Sequence, residues 1–368
     1  MAGGSKRCCP VSAGATRLSS VSEQNASFPW PVGSATGVGS MPGSDVAQTC
    51  RLVFGELPDL PFLPELPGRG PGADMTGRAA ALLVDMPVQI TTRGWKLAAS
   101  PGREASRAAG YWSQDLDTLE EVAQGFAGPL KVQVCGPVTL AATLELTRSL
   151  DPALSDPGAV ADLAGSLAEG VAAHVADVRK RVPGATVILQ LDEPALPAAL
   201  AGRVPTASGL NFVRSIDPVI ASQRIGTVLA AAGSGARTVV HCCASNTPFP
   251  VIAESGATGI SFDAGQLRNA DVDVIAELAE AGLALFAGAV PAAAAQRLVS
   301  GPPLAARETA AAVTELWRKT GLAAEDMARQ LVITPACGLA GMSPAAARAA
   351  LEHCREAARI APEMIVAS

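Results

Sequence analysis

Residues 156–194 read DPGAVADLAGSLAEGVAAHVADVRKRVPGATVILQLDEP, and this stretch sets the fold class. Asp156 is an N-cap, Pro157 stands at the first helical position, and Pro183-Gly184 closes the segment, so Asp156–Val182 is predicted to be helical. Thr186–Asp192 then forms a nearly continuous apolar run, as expected of a strand covered on both faces. Helix, short turn and buried strand make the repeating unit of parallel α/β proteins. Outward from this unit, strand-like runs occur at Ala35–Ser40, Pro87–Thr91, Leu130–Cys135, Arg237–Cys243, Gly259–Asp263, Leu283–Val290 and Leu331–Ala336. Helical segments lie between them, among them Leu304–Thr320 and Ser343–Ile360. Eight strands alternating with helices predict a (β/α)8 barrel of the TIM type as a single catalytic domain over residues 34–368. An open doubly wound sheet is the second reading, weakened because no G-x-G-x-x-G follows the first strand.

Residues 1–33 are rich in Ser, Gly, Ala and Pro without periodicity, which predicts a disordered leader. The chain has 368 residues and a formal net charge of −6, with no basic footprint for nucleic acid or an anionic membrane. Its longest apolar run, Ala281–Ala295, is too short to span a bilayer and holds Gly282, Gly288 and Pro291. The eight cysteines suit core packing, metal ligation or nucleophilic chemistry better than a disulfide frame, and a soluble cytoplasmic protein is expected. Cys8 and Cys9 have no neighbouring ligand and are not expected to bind metal. The segment ELPDLPFLPELPGRGPGADMTGR, Glu56 to Arg78, carries too many prolines for a regular helix or central strand. It is expected to be a long, stiff loop over one end of the barrel.

Active sites of such barrels lie at the carboxyl ends of the strands. His241 and Cys243 stand two apart at the fifth strand, so both face one side while Cys242 faces away. Cys337 follows the eighth strand, and Asp263 at the sixth offers a displaceable oxygen. Imidazole, thiolates and carboxylate are zinc ligands, and a catalytic zinc keeps one exchangeable position. A buried histidine beside small apolar cysteines is the plainer alternative. Asp192-Glu193 ends the fourth strand, with Asp192 and Gln190 on one face. Two such acids are costly unless used or paired. One of them caps the next helix, or Asp192 holds a cationic group such as a substrate ammonium. Glu65 and Asp74 are further carboxylates. Gly37, Gly39 and Ser40 offer backbone donors for a substrate carboxylate. His174 and His353 read as structural or surface residues, and Cys50, Cys135 and Cys354 as core.

The ordered set of motifs resembles the catalytic carboxyl-terminal barrel of cobalamin-independent methionine synthase. It comprises GVGS at Gly37–Ser40, the acidic loop Glu65–Met75, GPVT at Gly136–Thr139, LDEPA at Leu191–Ala195, HCC at His241–Cys243, ISFD at Ile260–Asp263 and PACGL at Pro335–Leu339. The resemblance implies a zinc enzyme that methylates homocysteine to methionine, with His241, Cys243, Cys337 and the carboxylate at 263 around zinc. It implies that Gly39, Ser40, Glu65 and Asp192 hold the amino-acid end of homocysteine, with Asp192 and Glu65 closest to the chemistry.

This sequence departs from the family pattern at four places. Asp263 stands where the family has glutamate. Residues before 34 do not match the second, N-terminal barrel of full-length members. Thr143 stands where the family's pterin-stacking tryptophan falls, leaving Trp95, Trp112 or Met75 as substitutes. No histidine falls near Ala287–Pro291. These departures leave the methyl donor as methyl-folate or a methylated corrinoid, the latter free or on a corrinoid protein, and favour the corrinoid. A uroporphyrinogen-decarboxylase-like enzyme and a non-catalytic zinc-bearing binding protein are the competing functions.

Overall fold

The structure, a computed structural model, describes residues 28–301 and 304–366. Its centre is a six-stranded parallel sheet in sequential order. With β1 (Val88–Ile90) and β2 (Trp95–Leu97) forming a separate antiparallel pair, the sheet runs β3 (Gly128–Cys135), β4 (Ala185–Asp192), β5 (Arg237–Cys242), β6 (Gly259–Asp263), β7 (Ala284–Val290) and β8 (Leu331–Pro335). These strands are buried almost throughout, which is why they read as apolar runs rather than alternating ones.

Neither edge of this sheet is bare. Beside β8, Thr36 N–H donates to Ile333 O at 3.1 Å and Ile333 N–H donates to Ser34 O at 3.2 Å. Beside β3, Leu63 N–H donates to Lys131 O at 3.0 Å and Lys131 N–H to Pro61 O at 2.9 Å. The two added segments meet through Glu65 N–H to Gly39 O at 3.1 Å and Met41 N–H to Glu65 O at 2.8 Å, and all three contacts are parallel bridges.

The second strand therefore differs from the sequence reading. Pro87–Thr91 lies in the β1–β2 hairpin, and residues 61–65 of the proline-rich segment take its expected place between the first segment and β3. The prolines permit this because Pro61 contributes only its carbonyl, while the N–H donors come from Leu63 and Glu65. A proline pattern that excludes a regular strand still allows a bridged one.

The helices follow their local signals. They begin with α1 (Val46–Glu56), α2 (Met75–Ala80), α3 (Arg103–Val122), α4 (Pro137–Thr143) and α5 (Pro157–Arg181). In α5, Asp156 accepts from the N–H groups of Gly158 and Ala159, and Arg179, Lys180 and Arg181 occupy the last turn, where the helix dipole favours cations. The last helix, Pro344–Val366, packs against β8.

Most of the expected leader, residues 1–27 with Cys8 and Cys9, lies outside the described residues. Its final part is packed: Phe28 stacks on Trp30, which meets Phe286 edge-on at 5.3 Å. Trp30 joins Leu60, Ile188, Val239, Ala284 and Val332 in an apolar plug near the amino ends of the strands. That plug leaves the carboxyl ends for chemistry. No described helix is long and apolar enough to cross a membrane.

Candidate active site

Strand register gathers the polar residues at those ends. Asp192 pairs across to His241, and His241 to Ser261. His241 is buried, and its Nδ1 lies 2.8 Å from Ser261 Oγ. Its Nε2 is buried without a hydrogen-bond partner. An orphaned buried ring nitrogen is costly unless something binds it. The remaining donors are at hand: the His241, Cys243 and Cys337 ligand atoms lie within 4.8 Å of one another, and the two sulfurs are 3.1 Å apart.

One nitrogen and two sulfurs, with the other ring nitrogen fixed by a hydroxyl, form a possible metal-binding group whose donor chemistry fits zinc. Ser261 orients the ring through Nδ1, and in the tautomer in which Nδ1–H donates to that hydroxyl, Nε2 is free for a ligand. The two cysteine sulfurs are in hydrogen-bonding contact. Cys337 is held well below the usual thiol range, at about 4, because it accepts from Cys243 and then because of the His241 ring. Cys243 is pushed upward by the same bond and by burial. Cys242 is buried facing away, as the i, i+2 argument requires.

Asp263 is not among the three gathered donors. Its Oδ1 accepts from Gly265 N–H at 2.8 Å, although its carboxylate feels both Cys337 and His241. Burial raises its pKa, with the Gly265 bond opposing.

Asp192 is buried, and its Oδ1 accepts from Gln190 Nε2 at 2.7 Å. Burial pushes its carboxyl up, opposed first by His241 and then by Lys131. Glu65 is also buried and pushed up to about 7 by desolvation, with Arg78 opposing. Ser40 bridges to Glu65, and its hydroxyl packs against Gly338, where an added Cβ would collide with it. Gly39 is pressed by Gln133, whose Cγ would lie 2.7 Å from a Cβ there. The expected residues Gly39, Ser40, Glu65 and Asp192 thus lie on adjacent elements around the metal group.

Glu193 has a different task. Its carboxylate accepts from Val138 N–H at 2.9 Å and from Thr139 N–H and Oγ1, both at 2.7 Å, capping α4. The capped helix precedes β4 in the chain rather than following it. Gly136 must be glycine because a Cβ there would strike that carboxylate. Asp74 likewise caps α2 through Gly77 N–H. His174 is buried beside the Trp112 ring, and burial lowers it to about 3. His353 Nε2 contacts Thr309 Oγ1 at 2.8 Å within the fold.

Sequence reasoning missed Lys131, Gln133 and Arg78. Lys131 and Gln133 are fully buried on β3, and the i, i+2 polar pair inside L-K-V-Q-V was the available signal. Arg78 is buried in an ion cluster that no local pattern marks. Its Nη1 donates to Asp115 at 2.6 Å, its Nε lies 3.4 Å from Glu65, and its guanidinium sits 3.8 Å above the Trp112 ring. Arg69 joins through both nitrogens to Asp115 at 2.7 and 2.8 Å.

Comparison with known proteins follows the same direction. No curated protein matches the chain. Among solved structures, a B12-independent methionine synthase from Shewanella sp. W3-18-1, in complex with selenomethionine, is similar over 92% of this chain and 100% of its own. The identity is 14% and the TM-score 0.62. A putative vitamin-B12 independent methionine synthase from Listeria monocytogenes is similar over 93% of this chain and 99% of its own, at 14% identity and TM-score 0.51. At these identities both likenesses speak for the fold. The profile of the family described as cobalamin-independent synthase, catalytic domain, matches residues 130–360, from β3 into the last helix. With that match over more than half of the chain, the protein belongs to the cobalamin-independent methionine synthase catalytic-domain family.

Proposed function

We propose that this chain transfers a methyl group to the thiol of homocysteine, giving methionine, at a zinc site formed by His241, Cys243 and Cys337. The observation that carries the reading is the convergence of these three donors beside the buried Asp192 carboxylate. We read the fold as a (β/α)8 barrel over residues 34–368, the bridged segments 34–40 and 61–65 standing as its first two staves. Homocysteine methylation by methyltetrahydrofolate is the family's known activity.

Zinc bound in this group supplies positive charge that keeps a coordinating thiol deprotonated near neutral pH. The chain's own residues do the rest. Ser261 orients His241. Asp192, fixed by Gln190, and Glu65, fixed by Arg78, hold the substrate ammonium. Gly39 and Ser40 hold the substrate carboxylate. Asp263, in the field of Cys337 and His241, would be at most a weakly held, exchangeable ligand, its Oδ1 being engaged with Gly265. In the transfer the sulfur–methyl bond forms as the methyl–donor bond breaks, and that electron pair leaves with the donor.

A second reading concerns the donor. Thr143 is exposed on α4, while Trp95 and Trp112 are buried. Trp95 Nε1–H is directed at Asp74, and Trp112 Nε1–H donates to Arg78 O at 2.9 Å. Neither ring is free to stack on a pterin, and one aromatic platform is worth about 0.5–1.5 kcal/mol. This favours a methylated corrinoid, whose methyl leaves without protonation of the leaving group. The test is methionine formation from homocysteine with methyltetrahydrofolate or methylcobalamin supplied separately. Turnover with either supports methyl transfer, and turnover with neither contradicts it. Brisk turnover with methyl-folate alone removes the corrinoid reading.

A further inference from the structure

Lys131 is completely buried, a rare position for lysine. Its Nζ donates to Val38 O at 2.8 Å and to Gln133 Oε1 at 3.2 Å. Gln190 Nε2 donates to the same Val38 O at 2.8 Å and to Asp192 Oδ1 at 2.7 Å, so the lysine and the aspartate share one scaffold. Asp192 and Glu65 are the acids whose fields reach the ammonium. Burial lowers Lys131 to about 8, which leaves it cationic at neutral pH. Glu65 continues through Arg78 to Asp115 and Arg69. The ion pairs run from Arg69 through Asp115 and Arg78 to Glu65, while Lys131 reaches Asp192 and Glu65 through its field and the shared scaffold; by formal charge the three cations and three acids cancel. Glu193 stands outside it, on the amino end of α4.

We propose that Lys131 determines substrate specificity by neutralising the Glu65–Asp192 pair, so that this end of the site selects a zwitterionic α-amino acid over an amine without a carboxylate. The inference rests on the homocysteine reading above. A buried charge without a partner is strongly unfavourable, so net charge governs what such a buried pair accepts. At the amino-acid end, with the thiol arm the same in both, a zwitterion adds an ammonium and a carboxylate that cancel. A bare aminothiol adds one uncompensated cation there. Without Lys131 the pair carries one surplus negative charge, which the ammonium of the aminothiol cancels and the ammonium and carboxylate of the zwitterion together do not. Lys131 acts through this field and the Val38–Gln190 scaffold, without touching the reacting atoms.

The test is calorimetric titration of the full chain with homocysteine and with 3-aminopropanethiol, which has the same thiol arm and ammonium but no carboxylate. The wild-type protein should bind homocysteine at least tenfold more tightly. In Lys131→Met that preference should shrink at least tenfold, with binding of 3-aminopropanethiol unchanged or stronger, while Lys131→Arg should retain it. Equal binding of the two probes by the wild type overturns the inference, and this arm needs no variant to fold. A Lys131→Met protein that keeps the full preference also overturns it. A wild-type protein that does not bind homocysteine at all contradicts the methyl-transfer reading itself, and the inference with it.

Discussion

The two halves of the site are built in different ways. The half proposed to hold the metal sits at the ends of β5, β6 and β8, and local spacing sets it: His241 and Cys243 are two residues apart, and register brings Ser261 to His241. The half proposed to hold the amino-acid end depends on partners far apart in sequence. Glu65 is held by Arg78, Arg78 by Asp115 on α3, and Asp192 by Gln190, which hangs from Val38 O. The first half is assembled by strand geometry. The second is assembled by buried charges that must find one another, and its stability should be correspondingly more fragile to a single substitution.

The sharpest break between the halves is expected in Cys337→Ser. Zinc binding should weaken by more than the roughly 10–100-fold typical of a residue that only orients a ligand. Metal analysis after dialysis reads this directly, and full occupancy would remove Cys337 from the group. Next in size is Arg78→Met, which leaves Asp115 and Glu65 short of a buried cation. Denaturant unfolding should show a loss of about 3–5 kcal/mol, with zinc stoichiometry intact in the folded protein. A loss below about 1 kcal/mol, the scale of a surface pair, would show that the ion cluster does not hold this half together.

Asp192→Asn should weaken homocysteine binding by about 1.5–3 kcal/mol through loss of a charge-assisted bond, again with zinc retained. Normal homocysteine binding with zinc lost would transfer Asp192 from one half to the other. The smallest effect belongs to Asp263→Ala. Its Oδ1 is engaged with Gly265, so zinc affinity should fall by less than the roughly tenfold lower bound for orienting residues. A loss as large as that of Cys337→Ser would make Asp263 a full ligand.

The same contrast explains what the sequence could reveal. The helix–strand unit at residues 156–194 and the parallel order from β3 to β8 follow from caps, prolines and apolar runs, and the structure keeps them. The gathering of His241 and Cys243 was legible because a strand's two-residue period turns spacing into direction. Residues 61–65 were not, because prolines removed the strand signal while the bridging N–H groups of Leu63 and Glu65 remained. Glu193 shows the same limit. Its acid beside Asp192 was visible, but its partners are the α4 amides some fifty residues earlier, brought close only by the β3–β4 pairing. Lys131 and Arg78 read as ordinary cations until the fold surrounds them with Asp192, Glu65 and Asp115.

The central claim is that substrate sulfur reaches the zinc held by His241, Cys243 and Cys337. X-ray absorption at the zinc edge, recorded on the zinc-loaded protein with and without homocysteine, tests it most directly. The account predicts a shell of two sulfurs and lighter atoms that gains one further sulfur when homocysteine is added. A zinc shell unchanged by saturating homocysteine would contradict it.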